Sequence, residues 1–133
     1  MKAFISPLIV FTVVLGGFVG FSKDVSAAGQ DIPVICRNMV NAMLACYRNT
    51  EAVDKVVDPK NVVVDEQHIE NVERQRDVVM PNAIRLHGRA SLEGQCKTTF
   101  RNTVLGTESS QVEQILKLGG DASACEKAVE SIK

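Results

Sequence analysis

The spacing of apolar residues after position 31 is typical of amphipathic helices. The clearest case is the segment Asp31–Arg48. Its apolar residues recur at steps of three and four, which places them on one side of a helix: Cys36, Met39, Val40, Met43, Cys46 and Tyr47. Asp31 can cap the start of this helix, and Pro33 suits a first turn because its missing N–H has no partner there. We therefore predict a first helix over Asp31–Arg48.

The next segment, Glu51–Val64, has no clear period. Asp58-Pro59 favours a turn or a new helix start. The β-branched run Val62–Val64 is compatible with a brief strand, although a single strand would have no pairing partner. We leave both interpretations open for this segment.

Helical patterns return after Val64. They predict one helix over Asp65–Met80, which Pro81 ends because the residue before a proline disfavours the helical conformation. They predict another helix over Ser91–Leu105, which Gly106 ends.

Two short helices are predicted beyond Gly106. Ser110 with Glu113, and Ser123 with Glu126, have the spacing of capping boxes. Gly119-Gly120 separates these two helices. The predicted fold is therefore all-α, a small four- or five-helix bundle in one domain.

The first residues have the layout of a secretory signal peptide. The uncharged, mostly apolar run Phe4–Phe21 follows Lys2, and the small-residue stretch Val25–Ala28 follows the run. We predict cleavage after Ala27, which makes 1–27 a signal peptide and 28–133 the mature domain. The alternative is a retained membrane anchor, since the 18 residues of the apolar run are close to the minimum for a membrane span. We expect contact with a membrane only through such an uncleaved leader. We favour cleavage, and a secreted or periplasmic location.

The chain has four cysteines, Cys36, Cys46, Cys96 and Cys125. In an oxidising compartment they are expected to form two structural disulfides. Cys36 and Cys46 would lie about 15 Å apart along one helix, whereas a disulfide needs Cα atoms about 4.4 to 6.8 Å apart. The first helix is therefore expected to be bonded to both other cysteines. Nested pairing (36–125, 46–96) and crossed pairing (36–96, 46–125) remain open, and we favour the nested one, with the last helix antiparallel to the first.

No motif in the chain indicates catalysis or a cofactor. There is no Cys-x-x-Cys, no close pair of zinc ligands, no Gly-x-Ser-x-Gly, no His-Glu-x-x-His and no phosphate-binding glycine loop. His68 lies between Glu66 and Glu70, but helix neighbours two apart point in different directions, so we interpret the three as a solvated face. We expect no catalytic residue, no metal, no cofactor and no enzymatic activity.

Charge is nearly balanced overall but uneven along the chain. The net charge is −1, and −2 without the leader, which holds Lys2, Lys23 and Asp24. A basic segment contains Arg74, Arg76, Arg85, Arg89, Lys97 and Arg101, and the end of the chain is acidic. These cations are a candidate binding surface for an anion or a partner, but we favour mutual neutralisation with the acidic end. No aromatic residues alternate with the arginines, so we expect no nucleic acid partner.

Five apolar residues are candidates for a ligand cavity between helices, namely Met39, Val40, Met43, Phe100 and Val104. The simpler interpretation, that they form the core, is favoured. The function predicted from these patterns is non-enzymatic binding of another protein or a surface component outside the cytoplasm. The alternatives are a carrier of a small apolar ligand and a periplasmic holdase that responds to acid or other stress.

Overall fold

A computed structural model describes residues 32–133, so the predicted signal peptide, its cleavage site and Asp31 lie outside the described residues. Of the described residues, 88% are helical and none is in a strand, which confirms the all-α prediction. The described residues form four helices, which we number α1 to α4. Helix α1 is Val34–Val57, and a 3₁₀ turn, Pro59–Asn61, follows it. Helix α2 covers 62–87 and consists of Val62–Arg74, a π turn at Gln75–Val79, and Met80–His87. Helix α3 covers 89–117 and consists of Arg89–Gln95, a π turn at Cys96–Phe100, and Arg101–Lys117. Helix α4 is Ser123–Glu130.

Helix α1 is the centre of the bundle, and the other three helices pack against it. Helix α2 returns antiparallel to α1, because Asn61 bonds to Asp54 just before the start of α2, and His68, two turns later on α2, stacks on Tyr47, two turns earlier on α1. Helix α3 runs parallel to α1, since their contacts follow the same order along both helices. Cys96 bonds to Cys36, and the later Gln111 bonds to the later Thr50.

Helix α4 runs back along α1. The N–H of Cys125 donates to Asn49 Oδ1 at 3.0 Å, and Ile132 at the other end joins the core cluster that contains Cys36. The predicted antiparallel packing of the last helix on the first is therefore correct. Across residues 32–133, no helix combines the length and the apolar character of a membrane span.

The disulfides pair in the crossed order, so the nested pairing that we favoured is wrong. Cys36 bonds to Cys96 with Cα atoms 5.4 Å apart, and Cys46 bonds to Cys125 with Cα atoms 4.4 Å apart. The reason is the parallel course of α3, which places Cys96 beside the start of α1 and leaves Cys46 for α4. The prediction that Cys36 and Cys46 each bond to a different helix is confirmed.

Helix α1 is nine residues longer at its end than predicted, because it continues from Arg48 to Val57. Val53 and Asp54 are buried on this extension, which explains why it is helical despite its many polar residues. The run Val62–Val64 is not a strand but the first turn of α2. Asn61 Nδ2 donates to Asp54 Oδ2 at 2.8 Å and joins the end of α1 to the start of α2.

Pro81 does not end α2, contrary to the prediction. The N–H of Met80 bonds to Gln75 O, five residues back, so the helix widens by one residue just before the proline. A π turn of this kind relieves the contact between a proline ring and the preceding turn, and the helix continues to His87.

Gly106 does not end α3 either, because buried residues on both sides of it, Phe100 and Ile115, outweigh a helix penalty of about 1 kcal/mol.

Gly119-Gly120 ends α3 as predicted. Gly119 has a φ of 80°, which side chains rarely adopt. A Cβ atom on Gly120 would lie 2.0 Å from Val53 Cγ2, so only glycine allows this close approach to α1. Helix α4 begins at Ser123, whose N–H donates to Asp121 Oδ1 at 2.9 Å, so Asp121 rather than Ser123 provides the side-chain acceptor.

Candidate functional site

The interior of the bundle changes in character along its length. Around the first half of α1 the buried side chains are mostly apolar, with Gln75 and Asn82 of α2 as buried polar exceptions, and we call this part the apolar half. It is built from α1, α2 and α3, together with one residue just before α1 and one just after α4, and contains Ile32, Met39, Val40, Met43, Val72, Met80, Ala83, Leu92, Phe100, Val104 and Ile132. The Cys36–Cys96 disulfide lies within it.

Around the second half of α1 polar and charged side chains are buried beside a small apolar cluster of Val53, Ile115 and Ala122, and we call this part the polar half. It contains Thr50 and Asp54 on α1, Asp65 and His68 on α2, and Glu108 and Gln111 on α3. All six are less than 9% exposed. Buried polar groups destabilise a fold unless they are paired, so their partners decide what this interior can do.

One short hydrogen-bonded chain joins α3 to α1. Gln111 Nε2 donates to Thr50 Oγ1 at 2.7 Å, and Thr50 Oγ1 donates to Cys46 O at 2.9 Å. Gln111 Oε1 has no partner among the described residues. The chain fixes the register of α3 on α1 next to the Cys46–Cys125 disulfide.

Glu108, one turn before Gln111, is completely buried. Both of its carboxylate oxygens lack a hydrogen-bond partner among the described residues. Burial therefore raises the pKa of Glu108 well above its ordinary value, because the charged form would have neither water nor a counterion. The structure thus favours a protonated, neutral side chain at this position.

Asp65 on α2 and Asp54 on α1 form the second acidic element of the polar half. Burial, a hydrogen bond to Asp54 and repulsion from Asp54, Glu51 and Asp58 raise the pKa of Asp65 to about 8. Two ionised carboxylates are both acceptors, so a hydrogen bond between them requires one shared proton. Asp54 also accepts the bond from Asn61.

Tyr47 and His68 lie between these two acidic elements. Their rings stack with centroids 5.0 Å apart and planes inclined by 20°. Burial, followed by repulsion from Glu108 and Asp65, raises the pKa of Tyr47. Burial lowers the pKa of His68, which keeps its ring neutral at pH 7.

The predicted solvated face at Glu66, His68 and Glu70 is only partly correct. The two glutamates are exposed, but His68 is buried against Tyr47. The sequence pattern missed this because Asp65, His68 and Val72 form the inward stripe of α2. Within residues 32–133, no group of three or more His, Cys, Asp or Glu side chains is arranged to hold a metal.

The outer surface of the bundle also differs between its two ends, and most of the exposed apolar residues lie at the end whose interior is polar. Of the eight large apolar residues exposed in the described part of the chain, six lie at the end where the interior is polar. They are Val56, Val57, Val63, Val64, Leu116 and Leu118, and we call this surface the apolar end. Val34 and Leu86 are at the opposite end.

A groove of about 300 Å³ lies within the apolar end, between the last turns of α1 and the loop after α3. Apolar side chains and glycines form most of it: Ala52, Val53, Val56, Val57, Leu118, Gly119 and Gly120. Asn49 and Asp121 are the polar residues in its lining. A second depression, of about 500 Å³ between α3 and α4, is lined by charged and polar residues together with Val112 and Val129.

The five residues predicted as a candidate cavity are all buried within the apolar half. They are Met39, Val40, Met43, Phe100 and Val104, none more than 1% exposed. They belong to one packed cluster. Both grooves described above have other linings.

The six candidate cations lie on the second half of α2 and the first half of α3, around the apolar half. Arg74, Arg85, Arg89 and Lys97 are exposed, while Arg76 and Arg101 are partly buried. Arg76 pairs with its neighbour Asp77 at 2.6 Å, and Arg85 donates to Asn82. In the acidic end of the chain, Glu113 pairs with Lys117 and Glu130 with Lys133, so these ion pairs are local.

Charge alone does not reveal these buried polar residues, because a charged side chain ordinarily indicates a solvated face. A signal was nevertheless available. Val104, Glu108, Gln111 and Ile115 recur at steps of four, three and four, so Glu108 and Gln111 occupy core positions in an otherwise apolar stripe. The same reasoning applies to Asp65 and His68, which precede Val72 and Val79 on α2.

Comparison with other proteins gives no family for this chain. No protein-family model, curated protein or solved structure matches it.

Proposed function

We propose that this protein is a non-enzymatic binding module that works outside the cytoplasm and docks a partner protein on the apolar end. The partner presents an aliphatic or aromatic side chain to the groove between α1 and the loop after α3. The observation that carries this proposal is the concentration, at one end of the bundle, of six of the eight large apolar side chains exposed in the described part of the chain.

Exposed apolar residues scattered singly are ordinary, but a group of them usually indicates an interaction site. Val56 is 83% exposed and Val57 51%, on consecutive positions of a helix whose other side is packed. They share the groove with Leu118, which comes from a different part of the chain. An association that covers these side chains would be driven by the removal of apolar surface from water.

Charge around the groove favours a partner with a basic residue beside the apolar one. Asp121 is the one charged residue in the groove lining. Its bond to the N–H of Ser123 lowers the pKa of Asp121 and keeps it ionised. A lysine or arginine of the partner would pair with this carboxylate at the rim and fix orientation rather than supply much affinity.

The two disulfides support an oxidising compartment for the folded protein, and all four cysteines of the chain are used in them. Together with the signal-peptide pattern at 1–27, this supports the proposed secreted or periplasmic location. The two alternative functions gain no comparable support. The candidate carrier residues are packed core, and the buried carboxyls of the polar half favour an acid-stable fold rather than one that opens in acid.

The test compares two substitutions of the same type on the same helix. A photo-crosslinking residue at Val57 first captures the partner from the host's extracytoplasmic fraction, and the captured protein is then purified and titrated. We expect Val56→Asp to weaken binding at least about tenfold, since it places a charge in the apolar contact. Val34→Asp is the control, because Val34 is also exposed on α1 but lies at the opposite end.

The proposal predicts a saturable complex that is sensitive to Val56→Asp and insensitive to Val34→Asp. Equal loss with both variants, or no loss with either, would contradict it. Sedimentation of the protein alone decides between a partner and self-association. A dimer that Val56→Asp dissociates would show that a second copy, not another protein, covers the apolar end.

A further inference from the structure

The polar half contains buried carboxyl groups on α2 and α3 that take part in none of the ion pairs found within residues 32–133. Glu108 on α3 is 0% exposed, and neither of its carboxylate oxygens has a hydrogen-bond partner among the described residues. Asp65 on α2 is 2% exposed, and its Oδ2 likewise lacks a partner. An ionised carboxylate in either place would be buried without compensation.

The groups facing this interior come from α1, α2 and α3. The titratable ones that are buried there are Tyr47 and Asp54 on α1, Asp65 and His68 on α2, and Glu108 on α3. Glu51 and Asp58 act on Asp65 from the rim and add negative charge. Helix α4 buries only Cys125 and Val129, and its charged residues are exposed.

The nearest basic residue before Glu108 on its own helix is Arg101. It is two turns away, about 10 Å along the axis. The buried set thus consists of three carboxyls, a phenol and a neutral imidazole. Since the charge can be removed only by protonation, the packing of α1, α2 and α3 in this half depends on bound protons.

We propose that protons on Glu108 and on the Asp54–Asp65 pair are structural components of the fold, so that the polar half is closed at acidic and neutral pH and loosens as the pH rises. The loosened segments are the end of α1, the start of α2 and the end of α3. These same segments form the apolar end, so a rise in pH changes the surface at which a partner would dock. The pH dependence itself does not rest on the docking proposal.

The direction of the effect follows from where the protons are bound. In the unfolded chain an aspartate releases its proton near its ordinary pKa of 3.8, whereas in the folded chain the pKa of Asp65 is about 8. Between these values the folded state holds a proton that the unfolded state lacks. The stabilisation that the proton on Asp65 provides is therefore complete below about pH 4 and is lost as the pH rises towards 8. Glu108 contributes in the same direction because burial raises its pKa.

His68 acts in the opposite direction but at lower pH. Burial lowers its pKa, so His68 destabilises the fold as the pH falls through about 6.5, where the unfolded chain gains a proton that the folded one does not. Its remaining contribution between pH 6.5 and pH 8.5 raises stability with pH, so a fall in stability between these two values comes from the carboxyls. Tyr47, whose pKa is raised above 10, does not titrate in this window.

Urea unfolding of the oxidised protein at pH 6.5 and 8.5 tests the proposal. We expect the wild-type midpoint to fall by about 1 M between the two values. Glu108→Gln has nearly the same shape without a charge, and should reduce that fall to about half, since the Asp54–Asp65 pair remains. Glu93→Gln, an exposed position on the same helix, should leave it unchanged.

Asp65→Asn and a direct measurement keep the test decisive if Glu108→Gln does not fold. Asp65→Asn should also reduce the fall, and the carboxyl ¹³C shifts of Glu108 and Asp65 in the wild type should report protonated groups at pH 6.5. The proposal is overturned if the wild-type midpoint is constant or rises with pH. It is equally overturned if both carboxyls are ionised at pH 6.5, or if neither substitution changes the pH dependence.

Discussion

The two halves of this bundle use the same helices in opposite ways. In the apolar half, α1, α2 and α3 turn methionine, leucine and phenylalanine inward and carry arginines outside. In the polar half the same helices bury Asp54, Asp65 and Glu108 and expose Val56 and Val57. One half therefore provides the stability of a conventional core, and the other combines an interior that depends on protons with a surface suited to a partner.

The difference shows how a small domain can tolerate a poor core in one region. The disulfides close loops across 60 and 79 residues of sequence. On the chain-entropy account each bond of that length stabilises the fold by about 4 kcal/mol if it is unstrained. Such a contribution is comparable to the whole stability of many domains of this size. The buried carboxyls are thus compatible with folding because the bonds and the apolar half hold the helices together.

The largest expected effect comes from the disulfide nearer the polar half. Removing it with Cys46→Ser and Cys125→Ser should lower the free energy of unfolding by about 4 kcal/mol and the melting temperature by at least about 10 °C. Differential scanning calorimetry of the oxidised proteins measures both. An unchanged melting temperature would contradict the account in which this bond compensates for the polar interior. The paired change of Cys36 and Cys96 to serine is the matched comparison within the apolar half.

Truncation of the apolar half should be nearly as damaging. Phe100 is 1% exposed in the main cluster, and Phe100→Ala should cost about 3 to 5 kcal/mol through lost burial and a cavity. Val63→Ala, at an exposed position of the apolar end, should change stability by less than about 0.5 kcal/mol. Denaturant unfolding of both variants makes the comparison. A small loss for Phe100→Ala would mean that this half is not the stabilising core.

The polar half should respond to the opposite kind of change. Glu108→Leu replaces a buried carboxyl with an apolar side chain of similar size, and should raise the free energy of unfolding at pH 8 by about 1 to 3 kcal/mol. Glu93→Leu on the exposed side of α3 should have no such effect. A destabilised Glu108→Leu protein at pH 8 would indicate that Glu108 is paired after all.

A smaller effect is expected at the hydrogen bond between α1 and α3. Thr50→Val removes the hydroxyl that accepts from Gln111 and should cost about 1 kcal/mol. Thr98→Val is a close control, because Thr98 makes the same bond to the carbonyl four residues back but is exposed. Equal effects of the two substitutions, measured by urea unfolding, would show that the buried link contributes nothing specific.

Much of this fold could be predicted from periodicity, and the failures share one cause. The stripe of Cys36, Met39 and Met43 and the glycine pair after α3 were sufficient to predict an all-α bundle with two disulfides. The predicted breaks at Pro81 and Gly106 were wrong because local propensity was outweighed by tertiary packing, with a π turn accommodating the proline. Disulfide pairing was not predictable because it depends on the direction of α3, which no local signal specifies.

The candidate site was less predictable than the fold for a related reason. Glu108 and Asp65 are charged, and charge ordinarily indicates an exposed face. Only their register on helical stripes, beside Val104 and Val72, marks them as buried. The exposed valines of the apolar end could not be separated from core valines by sequence alone, because Val53 is buried and Val56 is not.

Hydrogen–deuterium exchange at pH 6.5 and 8.5, corrected for intrinsic exchange rates, tests the difference between the two halves most directly. The account predicts strong protection at both pH values over 36–43 and 92–104. It predicts weaker protection over 50–57, 62–68 and 108–117, and a further loss there at pH 8.5. Uniform protection along α1, or protection over 108–117 that does not change with pH, would contradict the division of this bundle into an apolar and a proton-dependent half.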